Sequence, residues 1–407
     1  MAVVLPPPSS AVAGALDPTF SKDGIQTAFK TGSVAYAVAI DHEGRTVVVG
    51  QTTVDRVDVA VARFRPNGTP DPTFGAGGRV RVPIGAEAVA FDVAVTSDDG
   101  LAIAGRRTKG ASEDSFVLRL DPTGEPVAAF GRDGLAIVDF GRFESANAIA
   151  VSDAGRIVIG GYVTNGTAER CALARLNADG SLDPRFSNDG TRFLDISPGA
   201  EQVNDLLVMP TGDIVAAGSS EVGTQSRFTI FRMHADGAMA TGFGHDGVTQ
   251  TDLGPGDDVA NAIAQTGSGD FAVAGSAGHA GHRDWGVVRY LADGKPDPTF
   301  GTDGIEILTW SAAPEAADDV LAVGRRLVVA GRIHRAATGD DAAVVRLRAG
   351  GKLDETFANA GVERFDVAGG TDAAHGLALQ TNGKVVLAGE TWIAGVPRFL
   401  MARLKAG

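Results

Sequence analysis

The chain has 407 residues, 44% of them hydrophobic, and 50 acidic against 36 basic side chains give a formal net charge of −14. That balance argues against a nucleic-acid partner, whose phosphates need clustered Lys and Arg. The single cysteine, Cys171, excludes an internal disulfide framework and a cysteine-rich zinc site, and no run approaches the roughly 18 apolar residues of a membrane helix.

In chain order, residues 1–15 stand apart. Leu5-Pro6-Pro7-Pro8-Ser9-Ser10 precedes Ala11-Val12-Ala13-Gly14-Ala15, which has the small-residue end of a signal peptide but no basic start and no full apolar stretch. The expectation is a leader or the residue of an export signal, hence a secreted or cell-surface protein, with a cytoplasmic one as the alternative. Residues 16–407 form one domain, because a single theme recurs through them. Leu16-Asp17-Pro18-Thr19-Phe20 returns around Phe74, Phe130, Phe186, Phe243, Phe300 and Phe357, a period of roughly 56 residues that marks a repeat architecture.

Each unit reads as four short strands. Strand a follows the glycine of the linker (Gly24–Phe29, Arg79–Val82), and strand b is rich in alanine (Tyr36–Ile40, Asn147–Val151, Asn261–Ala264). A tight turn ending in Gly, as in Asp153-Ala154-Gly155, joins it to the apolar strand c (Thr46–Gly50, Ile157–Gly160, Val385–Gly389). Strand d closes the unit (Val59–Phe64, Cys171–Leu176). β-Branched strands without a helical period make each unit a small antiparallel sheet, and radial packing of seven such sheets covers both faces of each. The fold expected is a seven-bladed β-propeller, all-β, with b innermost at the crowded axis. The chain starts on strand a and ends on strand d (Phe399–Leu404), so the N-terminal strand should complete the last blade and close the ring.

The linker Asp179-Gly180-Ser181-Leu182-Asp183-Pro184-Arg185-Phe186-Ser187-Asn188-Asp189-Gly190 and the core Asn382-Gly383-Lys384-Val385-Val386-Leu387-Ala388-Gly389 resemble the delta-60 repeat family of bacterial β-propellers. The resemblance runs over residues 16–404 and implies a bacterial, often exported repeat protein, without implying a reaction. Glu125–Phe130 and Ala238–Phe243 depart from the linker pattern, and those corners are expected to be looser.

Four columns recur at fixed positions. Strand d always carries an arginine (Arg63, Arg119, Arg175, Arg232, Arg289, Arg346, Arg403), expected to pair with the linker. Since the linker Asp is replaced by Val127 and Ala240 in two units, the D-G aspartates (Asp23, Asp133, Asp189, Asp246, Asp303) or linker carbonyls are the favoured partners over the D-P-T-F ones. The first position of strand b varies instead: Tyr36, Phe91, Asn147, Asn204, Asn261, Asp319 and His375. With b innermost these seven ring the channel mouth and are the ligand-binding candidates, on the face that also carries the c–d loops. Three residues earlier lie Glu144, Glu201, Asp258 and Asp372, read as a solvated acidic rim or, less directly, as oxygen ligands for Ca²⁺, although no loop has Ca²⁺-ligand spacing. After strand c, Gln51, Arg106, Tyr162, Ser219, Ser276, Arg332 and Glu390 join the same face. His279-Ala280-Gly281-His282 has two histidines three apart but no third zinc ligand of known spacing, apart from a cross-blade His334.

The nucleophile elbow, the zinc-protease helix motif and the phosphate loop are absent from the sequence. The leading functional expectation is therefore a non-catalytic binding or surface-interaction propeller, acting as a monomer on a protein or saccharide-like ligand and needing no cofactor. The alternative is a hydrolase or lyase for a small or saccharide-like substrate, with His375 as general base and Asp319 and Asp372 orienting it or binding metal.

Overall fold

The computed structural model describes residues 13–29, 32–141, 143–164, 168–279, 281–336 and 339–406. Most of the leader, residues 1–12, lies outside them, as does Ala280. The described residues form 28 strands and no helix, so no helix is long and apolar enough to cross a membrane. In the first blade the strands Ser33–Ile40, Thr46–Thr53, Val57–Phe64 and Arg79–Val82 pair in that order, antiparallel throughout. Six further units repeat the pattern, which makes a seven-bladed propeller with strand b innermost and the next unit's strand a outermost. Blades 2 and 3 are also joined by one parallel bridge between Phe143 and Glu113.

The seventh blade is built from Asp372–Leu379, Val385–Ile393 and Val396–Leu404, and its outer strand is the N-terminal Ile25–Ala28, paired with Phe399–Ala402. Outer strands of only three or four residues leave little edge for pairing with other chains. The core lies between blades. Val47, Val49, Val59 and Val61 of blade 1 pack on Ala90, Val93, Ile103 and Phe116 of blade 2, with Phe74 of the linker among them. All seven linker phenylalanines are buried, so each acts as a wedge under its blade junction.

The arginine column fastens these linkers, and its partners differ from the expectation. Arg63 Nε donates to Asp71 of D-P-T-F at 2.8 Å and Nη1 to the carbonyl of Pro122, in the next blade, at 2.6 Å. Its guanidinium also lies 4.6 Å from the Phe74 ring centroid. Arg175, Arg289, Arg346 and Arg403 repeat the pair with Asp183, Asp297, Asp354 and Asp17. The D-G aspartates serve local turns instead, as where Asp189 accepts the Thr191 amide. Where the linker carboxylate is missing, the b–c turn supplies one: Arg232 binds Asp213 at 2.7 Å and Arg119 approaches Asp98 at 3.7 Å. The position of Asp213, just before strand c, holds Arg45, Arg156, Arg326 or Lys384 in blades 1, 3, 6 and 7. Charge has thus been exchanged between turn and linker in blade 4. The two divergent corners are not looser, since Phe130 and Phe243 close the same backbone turns as Phe186.

Candidate functional site at the channel mouth

Strand b begins about three residues earlier than its alternation indicates, at Ser33 rather than Tyr36 in blade 1. In every blade its register against strand c then slips by one residue, at Tyr36, Phe91, Asn147, Asn204, Asn261, Asp318 and His375. A bulge leaves the extra residue unpaired and re-aims its side chain. The glycine ending the strand c core follows from it: a Cβ on Gly50, Gly161 or Gly389 would sit on the strand b carbonyl of Val34, Ser145 or Ala373. In blade 6 the bulged residue is Asp318, so the assignment of Asp319 to this column is corrected by one position. Val320 and Leu321 are both aliphatic, so either aspartate fits the alternation. Glu315, three residues before Asp318, was the signal that decides it.

All seven bulged side chains are half-buried. The three asparagines bind blades together: Nδ2 of Asn147, Asn204 and Asn261 donates to Val203 O, Ala260 O and Ala317 O of the following blade at 2.8–2.9 Å. Their amides are therefore oriented, with the donor end committed to backbone. One residue further on, Asp92, Asp205 and Asp319 of blades 2, 4 and 6 accept the amides of Ile149, Ile263 and Leu377. Burial pushes the Asp92 carboxyl up to about 6 and that of Asp319 to about 7, against these hydrogen bonds. Asp92 and Asp205 escaped the sequence reading because this inner acid set occupies only alternate blades, and Asp319 was read there as the start of strand b.

The outer acid column is not a solvated rim. Glu144, Glu201, Asp258 and Asp372, together with Glu315, are at most 1% exposed. Glu144 accepts the amides of Ser115 and Phe140, Asp258 those of Leu253 and Gly278, and Asp372 that of Val367. These carboxylates replace water for the a–b crossovers, where backbone groups would otherwise be buried unpaired. Desolvation lifts Glu144 to about 7 and Asp258 and Asp372 to about 6.

Side chains from four successive blades meet on one side of the mouth. His375 Nδ1 lies 2.9 Å from Asp318 Oδ2, and its Nε2 is 3.8 Å from Glu390 Oε1. Burial would lower the imidazole, but hydrogen bonding and charge from the two carboxylates override it and raise it to about 9. The Tyr36 ring lies 5.8 Å from His375 and 5.5 Å from Phe91, whose face carries the Arg106 guanidinium at 5.8 Å. Arg106 also holds Glu113 at 3.1 Å. Trp392, 38% exposed, donates to Glu390 at 3.1 Å. The result is an aromatic wall set with fixed charges, facing the asparagine arc. His375 does find a carboxylate, but it is Asp318: Asp319 and Asp372 are occupied by backbone amides. The upward shift of His375 favours the imidazolium, the form that donates a proton rather than accepting one.

His279 and His282 are paired at the tip of a hairpin, and line a cleft of about 550 Å³ between blades 5 and 6. His334 is hydrogen-bonded to Asp340 on its own hairpin at 2.9 Å. Among the described residues, no three His, Cys, Asp or Glu side chains already converge as a metal site.

Fold and mouth together define a β-propeller repeat protein. Residues 44–74, 155–186, 210–243, 272–300, 325–357 and 380–407 match the family described as domain of unknown function (DUF5122) beta-propeller. The unit ending at Phe130 has no match, although it folds as a complete blade. No curated protein sequence matches the chain. Among solved structures, polysaccharide lyase Uly1 is similar at 9% identity and a TM-score of 0.53, over 98% of each chain. An ulvan lyase of family PL25 bound to -[GlcA(1-4)Rha3S]- gives 9% and 0.54, over 94% of this chain and 96% of that one. Sqt1 from Chaetomium thermophilum gives 12% and 0.51, over 94% and 98%. At such identities the likeness is one of fold.

Proposed function

We propose that this is a non-catalytic binding propeller of the delta-60 type, exported by a bacterium, which holds a saccharide-like ligand or a protein side chain at the channel mouth. The observation that carries this reading is the wall of His375, Tyr36, Phe91 and Arg106, aromatic faces beside fixed charges. Rings that stack and polar groups that orient are the ordinary composition of a ligand pocket. Both donor-rich and acceptor-rich partners are present, since Arg106 can donate and Glu390 can accept. The test is a glycan and peptide binding screen of the parent protein beside a Tyr36→Ala, Arg106→Ala double variant. Loss of a specific ligand in the variant supports the mouth; an equally tight variant removes it as the site.

The His375–Asp318 pair favours one alternative, a hydrolase or lyase for a saccharide-like substrate in which the imidazolium acts as general acid. Two structural neighbours are polysaccharide lyases, but at 9% identity they lend that reading only a shared scaffold. Turnover of a polysaccharide by the parent, abolished in His375→Ala, would favour the enzyme over the binding module.

A further inference from the structure

A buried carboxylate without a donor stands at the root of the His279–His282 hairpin. Asp284 is fully buried, and neither of its oxygens accepts a hydrogen bond. Such a group calls for a missing partner. Blades 1 and 2 show what partners an aspartate at this position. Asp58, at the same register in blade 1, is paired with Arg56 at 2.9 Å and Arg81 at 2.5 Å, and Asp114 in blade 2 with Arg107 at 2.8 Å. In blade 5 the place of Arg81 is taken by Ile307, and the side chain beside Asp284 is the His282 imidazole.

That imidazole lies at an informative distance. His282 Nε2 is 3.4 Å from Asp284 Oδ1, too far for a good charge-assisted hydrogen bond. Two ligands bound to one tetrahedral zinc at about 2.0–2.1 Å stand roughly 3.3–3.4 Å apart. His279, paired with His282 across the turn, has its ring centroid 5.8 Å away and nearly perpendicular. Two imidazoles sharing a zinc have centroids roughly 5–6 Å apart by the same bond lengths. Residues 282 and 284 point to one face of the strand, and 279 joins them from the partner strand.

We propose that His279, His282 and Asp284 bind a first-row divalent metal, Zn²⁺ being the best match, with the fourth position open to the cleft between blades 5 and 6. The exposed His279 side chain turns inward to complete the set, since the three do not yet converge. The metal supplies the positive charge that Asp284 lacks and ties the hairpin tip to its root. Two nitrogen ligands and one carboxylate select zinc over Ca²⁺. The site is independent of the channel mouth.

The test uses the full chain without a polyhistidine tag, titrated calorimetrically with Zn²⁺ alone and followed optically with Co²⁺. One equivalent of Zn²⁺ is expected, with a tetrahedral Co²⁺ spectrum and a metal-dependent rise in Tm. His282→Gln should weaken binding at least about ten-fold and abolish that rise, whereas His42→Gln should change neither. Asp284→Asn repeats the test at the buried ligand; should it fail to fold, His282→Gln and His279→Ala, nearer the surface, decide alone. No Zn²⁺ uptake at micromolar concentration, or uptake unchanged in His282→Gln, would reduce the cluster to a His282–Asp284 ion pair and overturn the proposal.

Discussion

Asp17 is the point at which the ring is locked, and Asp17→Asn tests how. The carboxylate is 2% exposed and meets Arg403 Nε at 2.9 Å, Lys384 Nζ at 2.7 Å, and the Thr19 amide and hydroxyl at 3.0 and 2.7 Å. Burial alone would raise its pKa. The hydrogen bonds from Lys384 and Thr19 and the Arg403 charge outweigh it and hold the group down to about 2, against 3.8 ordinarily. That depression corresponds to about 2–3 kcal/mol of folding stability. Because the folded pKa is depressed, this stability is complete above the ordinary carboxylate range and disappears as pH falls through about 2. The asparagine variant also leaves Arg403 buried without its counter-ion, which costs about 3–5 kcal/mol when no other group compensates. A loss of about 3 kcal/mol at pH 7 is therefore expected by urea unfolding. Limited trypsin digestion should in addition cut early at Lys22 as the terminal strand detaches. Asp183→Asn removes the same linker carboxylate from blade 3, where the chain is continuous on both sides, and should lose stability without that early cut. A loss below about 1 kcal/mol, the range of exposed pairs, together with an unchanged digestion pattern would refute the latch.

Three further outcomes follow from the same geometry. Deleting residues 1–30 should bare the Val396–Leu404 edge and produce aggregation visible by light scattering; a soluble ring with unchanged melting would show that the outer strand is dispensable. Arg119→Ala should cost only about 0–1 kcal/mol in urea titrations, because its partner Asp98 is 3.7 Å away and 64% exposed, whereas Arg175→Ala, whose pair with Asp183 is buried, should cost about 3–5 kcal/mol; equal losses would contradict the assignment. Thermal stability should decline from pH 5 to pH 9. Glu144, Asp258 and Asp372 have folded pKa values raised to about 6–7, so the folded state binds the extra protons and loses stability as they leave. His375, raised to about 9, gives stability that is full below its ordinary 6.5 and lost as pH rises through 9. A flat or rising Tm over that range would mean that these groups are solvated.

The repeat, the blade number, the strand order and the closure by strand a were legible in the residues alone, because each depends on a periodic signal carried by many of them. Phe at the linker, Arg on strand d and Gly at the end of strand c recur wherever packing imposes the same local demand. The wedge of Phe74 and the buried Gly50 show that demand directly. The features that needed the folded ring are of single-residue scale. Asp318 and Asp319 are adjacent, both precede an aliphatic pair, and a bulge alone selects which faces the mouth. Glu144 and Asp372 looked like surface carboxylates because their charge is visible in sequence, whereas the backbone amides that enclose them, those of Phe140, Ser115 and Val367, leave no mark in side-chain identity. The linker partners of Arg232 and Arg119 moved to the b–c turn, an exchange that no single column records. The wall at the mouth joins His375, Tyr36, Phe91 and Arg106 across the meeting of the two chain ends, and only the closed ring brings residue 375 beside residue 36.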